Sequence, residues 1–155
     1  MARFTLNYNG FFQPNEIKKT ITSWLEDNEI DLDEQKIKVK PNSYELKIKF
    51  SRDYSSYIKM EGEVSVQASD LKKATMKKDS KEVEGFTGYL ELSISFEFSF
   101  NYDKPFKNAE GSLAEFMKNK FKEYSKGEEK YMEKEEGNLM GDFKKRIKDL
   151  LNIYN

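Results

Sequence analysis

Hydrophobic and polar residues alternate in five stretches of the chain, which is the pattern of strands with one buried face. These stretches are residues 2–8, 36–40, 44–50, 57–68 and 90–102. The last is the clearest, because one of its faces carries Leu90, Leu92, Ile94, Phe96, Phe98, Phe100 and Tyr102. Pro41-Asn42-Ser43 predicts a hairpin turn between the second and third strands. Residues 69–85 are polar and are predicted to form a loop or a frayed edge strand.

Hydrophobic residues recur at helical spacing in two other parts of the chain. Pro14 and Glu16 suit the first turn of a helix, and its apolar face holds Ile17, Ile21, Trp24 and Leu25. Ser112 followed by Glu115 has the spacing of a capping box and opens a second helical stretch, whose apolar face carries Leu113, Phe116, Met117, Phe121 and Tyr124. Gly127 predicts a break or a kink, after which a final helix carries Met132, Leu139, Met140, Phe143, Ile147, Leu150, Leu151 and Tyr154. The acidic residues 26–34 are predicted to form a solvated connector.

This order of elements predicts a single α+β domain over residues 1–155. Consecutive strands joined by short turns pair as an antiparallel meander, since a parallel connection needs a crossover. Gly10, Gly62 and Gly88 fall in the inward phase of their strands and allow the sheet to bend. The prediction is therefore a curved antiparallel sheet that grips a long C-terminal helix, with a short N-terminal helix after the first strand.

Composition removes several classes of chemistry. The chain has no cysteine and no histidine, so disulfides, thiolate nucleophiles, Ser-His-Asp systems and Cys- or His-based metal sites are excluded. We expect no catalytic residue, no cofactor and no metal, and an enzyme is the less favoured reading. Because the first residues lack a basic segment followed by an apolar core, and no apolar run approaches ~20 residues, we expect a cytoplasmic protein with no membrane span.

The end of the sheet and the last helix resemble a known superfamily. The Asp103-Lys104-Pro105-Phe106 turn after the last strand and the segment from Phe143 through Ile147 to Leu151, together with the element order, resemble the START/polyketide-cyclase-like (SRPBCC, helix-grip) superfamily. The resemblance implies a hydrophobic cavity between the sheet and the long helix that holds a lipid, sterol, polyketide or aromatic compound. The superfamily has no sharp motif, so no functional residue is carried over from it.

The first candidate site is the inward-facing aromatic row formed by Phe96, Phe98 and Phe100. Such a row lines an apolar pocket or simply fills the core. Arg52, at the end of its strand, is a candidate anchor for a ligand carboxylate. The predicted ligand-binding residues are Tyr44, Phe50, Arg52, Met60, Phe96, Phe98, Phe100, Met140 and Phe143. The function they favour is the binding of an apolar small molecule or lipid.

Charged segments leave other functions open. The lysine face of the hairpin, formed by Lys36, Lys38, Lys40, Lys47 and Lys49, is either a solvated surface or a site for an acidic protein or a nucleic acid. Nucleic acid is the less expected partner because the net charge is −1. The acidic residues 128–136 alternate with lysines as on a solvated helix, and their spacing is not that of a calcium loop. An oligomer subunit that pairs through a tyrosine-rich strand or the kinked helix is a third possibility.

Overall fold

A computed structural model describes residues 1–100 and 111–152, with only part of the side chains between 112 and 125. The elements are β1 (Ala2–Phe12), α1 (Pro14–Asp27), β2 (Asp31–Lys40), β3 (Ser43–Asp53), β4 (Ile58–Lys78), β5 (Lys81–Phe100) and α2 (Ser112–Asn152). The five strands form one antiparallel sheet in the order β1-β5-β4-β3-β2. The predicted α+β class, with a short helix after the first strand and a long C-terminal helix, is confirmed.

Strand β1 lies beside the last strand and not beside the strand that follows it in sequence. Leu6 pairs with Leu92 and Tyr8 with Leu90, while α1 carries the chain across the sheet to β2 at the opposite edge. The strands β2 to β5 then pair in sequence order, as short turns between antiparallel strands require.

The prediction of a loop or frayed edge strand at residues 69–85 was wrong. Strands β4 and β5 continue through this region as a paired hairpin, with Met76 opposite Val83. The register shifts between Ser69 and Lys72. At the tip, Asp79 and Ser80 have φ values of 50° and 65°, as in the two-residue mirror-image turns that fit twisted hairpins.

Helix α2 is continuous from Ser112 to Asn152, so the break predicted as one alternative at Gly127 was wrong, and the other alternative, a kink, stays a prediction. A glycine costs only about 1 kcal/mol relative to alanine inside a helix, which is too little to end one that is anchored further along. The predicted acidic connector was also too long, because α1 extends to Asp27 and β2 begins at Asp31. The predictions for Tyr102, residues 103–106, Tyr154 and the side chains of Phe121 and Tyr124 fall outside the described part of the chain.

Helix α1 and the second half of α2 cover one face of the sheet. Both helices contribute fully buried residues to the core, among them Trp24 and Phe143. The indole N–H of Trp24 donates a hydrogen bond of 3.1 Å to the carbonyl oxygen of Leu139, which joins the two helices directly. In the described part of the chain, no helix combines the length and the apolar character needed to span a bilayer.

Candidate functional site

The predicted inward aromatic residues meet in one cluster around Trp24. The ring centroid of Trp24 lies 5.5 Å from that of Phe50, 6.3 Å from Phe96 and 5.1 Å from Phe143. All four rings are at most 1% exposed, and Met60 and Met140 are buried in the same core. The cluster therefore fills the space between the sheet and the helices. Sequence reasoning placed Trp24 on the apolar face of α1 but missed that it is the centre of the cluster.

Gly62 provides the room for this cluster. A Cβ built on Gly62 would lie 2.5 Å from the Cβ of Phe96 and 2.6 Å from the ring of Phe50. Gly62 pairs with both residues across β3 and β5. The glycine was expected to permit curvature; here the missing side chain lets an aromatic ring take its place.

The other predicted ligand residues lie at the margins of the core. Phe98 and Phe100 are half-buried near the end of β5, and Tyr44 is buried at the opposite end of β3. Four open surface depressions among the described residues are lined by strands and turns without a helix residue. The first, of about 540 Å³, lies on the outer face of the sheet beside Glu34, Lys49 and Glu63.

Arg52 joins β3 to the end of α1. Its guanidinium donates a 2.7 Å hydrogen bond to the carbonyl oxygen of Asn28 and lies 3.5 Å from the carboxylate of Glu29. Asn28 in turn donates from its side-chain amide to the carbonyl oxygen of Trp24. Arg146 of α2 binds Asp27 at 2.8 Å. These contacts give Arg52 a structural part in holding α1, and its proposed contact with a ligand carboxylate stays a prediction.

Tyr54 packs beside this junction with a buried hydroxyl. The hydroxyl oxygen has no hydrogen-bond partner among the described residues, although the guanidinium of Arg52 lies 4.2 Å from the ring centroid. Burial raises the pKa of Tyr54 to about 12, and the nearby Glu135 carboxylate adds to the rise while Arg52 opposes it. The folded protein therefore favours the neutral phenol.

This raised pKa predicts a loss of stability in alkali. The pKa of the Tyr54 phenol is near 10 in the unfolded chain and about 12 in the folded protein. The contribution of the buried phenol to the free energy of unfolding is therefore complete below about pH 10 and is lost as the pH rises toward 12. Urea unfolding of the wild type and of Tyr54→Phe should give free energies that diverge over that window, with the wild type falling faster. Parallel curves for the two proteins would contradict the buried neutral phenol.

Three of the five lysines on the hairpin face lie beside carboxylates. Lys47 lies 3.4 Å from Glu63, and Lys36 and Lys49 lie 3.3 Å and 3.6 Å from Glu34. Exposed pairs of this kind add little to stability, but they replace a basic surface by one of mixed charge. This arrangement favours the solvated surface, and binding of nucleic acid or an acidic protein there stays a prediction. Among the described residues, no group of three or more acidic side chains is placed to hold a metal ion.

The first part of α2 extends beyond the sheet. All of the described side chains from residue 112 to 127, which we name the projecting segment, are exposed. Among the described side chains of α2, that of Glu128 contacts a turn of the sheet, because its carboxylate accepts a 2.5 Å hydrogen bond from the hydroxyl of Tyr57. At 1.5 Å per residue, the 16 residues of the segment extend about 24 Å.

Four large apolar side chains among those described on α2 face solvent. Leu113 is 71% exposed, Phe116 58%, Met117 51% and Tyr131 61%; we call them the apolar stripe. Leu113, Phe116 and Met117 are neighbours on the helix surface, and Tyr131 lies about 21 Å beyond Met117 along the axis. Isolated exposed apolar residues are ordinary, but a group of neighbours such as the first three marks an interaction surface. The sequence pattern identified Leu113, Phe116 and Met117 as an apolar helix face, without showing that the sheet leaves them uncovered.

The exposed apolar side chains of α2 differ in their surroundings from the side chains that enter the core. The buried residues of the helix are Met132, Leu139, Met140, Phe143, Ile147 and Leu151. Tyr131 is mostly exposed while its neighbour Met132 is 5% exposed. The apolar stripe is therefore free to contact another surface. No protein-family model, no curated protein and no solved structure matches this chain.

Proposed function

We propose that this domain is a protein-association module, in which the projecting segment of α2 docks on an apolar surface of a partner protein. The observation that carries the proposal is the apolar stripe, which is exposed on a helix whose other end is anchored in the core. Burying one Leu, Phe or Met side chain contributes about 1.5–3 kcal/mol. Anchoring also removes the cost of nucleating the helix, so the docking surface is formed in advance.

A protein partner is favoured over a lipid surface by the distribution of charges along α2. Residues 112–126 hold four lysines and two glutamates, as an interfacial helix would. The stripe continues to Tyr131, however, among residues 128–136, which hold five glutamates and two lysines. Anionic lipid would repel that acidic part, whereas a protein can present both signs of charge.

Site-specific photocrosslinking in the host cell tests the proposal. A photoreactive amino acid in place of Met117 is expected to give one discrete product, whose partner is identified by mass spectrometry, and Leu113→Gln should abolish it. Asn119 provides the matched control, because it is exposed and lies about 160° around the helix from Met117. Equal crosslinking at both positions, or crosslinking of Met117 to lipid alone, would overturn the proposal.

The binding of an apolar small molecule or lipid between the sheet and α2, as expected from the sequence, stays a prediction. Phe50, Phe96 and Phe143 occupy that space together with Trp24, so a ligand would need to displace them. Native mass spectrometry of the protein purified from its own host tests this hypothesis through a co-purified apolar molecule. The resemblance to the helix-grip superfamily and the cytoplasmic location stay predictions in the same way.

A further inference from the structure

Strand β2 lies at an edge of the described sheet, with β3 as its neighbour on one side only. The backbone N–H and C=O groups along the open side of an edge strand can pair with another strand. Leu32 is opposite Phe50 and therefore faces the core side of the sheet, as do Ile37 and Val39. All three of these β2 side chains nevertheless remain exposed. The edge thus offers both backbone groups and apolar side chains to a partner.

The charges on the other face of β2 change sign along the strand. This face is acidic at the start and basic at the end, and its charged residues are Asp31, Glu34, Lys36, Lys38 and Lys40. They share a face because their partners on β3 alternate with the core residues of that strand. The bulge at Asp33 adds one residue to β2 and keeps Asp31 on the same face as Glu34.

We infer that this edge binds a second copy of the chain, with β2 antiparallel to β2, so that two five-stranded sheets join into one of ten strands. In the register that places Lys36 on the two-fold axis, Glu34 lies opposite the second copy's Lys38. Asp31 lies opposite the second copy's Lys40. The two-fold axis repeats each pair, so opposite charges meet at both ends of the contact. A parallel pairing in register would place like charges side by side.

The same register matches the apolar side chains. Leu32 lies opposite the second copy's Val39, because the bulge at Asp33 shifts the phase of the strand by one residue. Lysines on an edge strand usually prevent the addition of another strand. Here Lys36 is the lysine that meets its own copy, and Glu34 of the same chain lies 3.3 Å from it. An edge that is complementary to itself after a two-fold rotation favours a closed dimer over an unrelated strand.

Disulfide trapping tests the register, and the chain contains no cysteine of its own. Directly opposite residues of antiparallel strands have Cβ atoms about 4.5–5.5 Å apart, close to the geometry of a disulfide. Lys36→Cys should therefore form a covalent dimer under mild oxidation. Lys40→Cys is the matched control, because Lys40 is also an exposed lysine on the same face. Its two copies would lie about 26 Å apart along the strands and should stay reduced.

Sedimentation equilibrium of the purified protein tests the charge complementarity. We expect a reversible dimer with a dissociation constant of about 1–100 μM, as for other small interfaces. Asp31→Lys and Lys40→Asp should each raise that constant about tenfold, since each turns two attractive pairs into repulsive ones. The double variant restores both pairs with reversed sign and should return to the wild-type value. Glu91→Lys, at an exposed position of β5 far from β2, should leave the constant unchanged.

The outcomes separate this inference from the proposed function. A protein that stays monomeric at about 100 μM, equal trapping of Lys36→Cys and Lys40→Cys, or a double variant as weak as the single ones would overturn the pairing of β2. If the apolar stripe joins the copies instead, Asp31→Lys leaves the dimer unchanged and the inference fails. The contact at β2 does not involve the stripe, so its failure leaves the crosslinking of Met117 as the separate test of the association function.

Discussion

Replacing Trp24 with alanine is expected to lower the unfolding free energy by about 3–5 kcal/mol, as for other buried tryptophans. Trp24 is fully buried, its ring packs against Phe50, Phe96 and Phe143, and its indole N–H binds the backbone of α2. The substitution removes contacts to both layers at once. Since domains of this size are stable by about 5–15 kcal/mol, urea unfolding of the variant should show a greatly reduced midpoint.

Two further substitutions serve as controls for Trp24→Ala. Trp24→Phe keeps an aromatic ring but loses the hydrogen bond to Leu139, so it should cost clearly less than alanine. Tyr131→Ala, on the exposed side of α2, should change the unfolding free energy by no more than about 0.5 kcal/mol at protein concentrations where the chain is monomeric. A loss below about 1 kcal/mol for Trp24→Ala would mean that the cluster is loosely packed, which would support the hypothesis of a cavity there.

Gly62→Ala is expected to cost about 3 kcal/mol, at the upper end of overpacking effects. The added methyl group would lie 2.5 Å from the Cβ of Phe96 and 2.5 Å from the carbonyl oxygen of Ser95. Neither atom belongs to the end of a flexible side chain, so β5 itself must shift. Thermal unfolding followed by circular dichroism measures the effect.

Gly141→Ala is the matched control for Gly62→Ala. A Cβ at Gly141 meets nothing within 4 Å, and alanine is favoured over glycine inside a helix by about 1 kcal/mol. The control should therefore raise the melting temperature while Gly62→Ala lowers it. Equal and small changes in both variants would show that the packing around Gly62 is not tight.

The strands with one buried face were predictable because the sheet has a covered side. Leu90, Leu92, Ile94 and Phe96 alternate with polar residues and are all buried, so packing and pattern agree. β2 is at an edge that the helices do not cover, and its inward positions Ile37 and Val39 remain 41% and 72% exposed. Its first residues, beginning at Asp31, have no apolar alternation, and the pattern therefore missed them.

The hairpin tip was missed because its turn lacks the usual residues. Two-residue mirror-image turns favour Asn-Gly or Asp-Gly, whereas this one uses Asp79 and Ser80. The irregularity at Ser69–Lys72 also changes the phase of the strand, so that Leu71 is buried on a register that the preceding residues do not predict.

The predicted ligand residues were located correctly on the core side, but the sequence does not give the volume between them. Phe50, Met60, Phe96 and Phe143 are all buried. Whether they line a cavity or fill the core depends on whether the Trp24 ring occupies the space between them. The same limit applies to α2, because an apolar face on a helix does not reveal which surface covers it. To know which surface covers the face, one needs the direction of the Leu113 and Met117 side chains relative to the sheet, and this direction depends on the tertiary structure.

Hydrogen exchange along α2 at several protein concentrations tests most directly the claim that its two halves have different functions. Amides around Phe143 and Ile147 should be strongly protected at every concentration, because that half is packed in the core. Amides of residues 113–126 should exchange rapidly in dilute protein, because the described side chains there are exposed, and should become protected only where another surface covers the stripe. Strong protection of residues 113–126 that does not change with concentration would show that the chain covers the stripe itself, and would contradict the account.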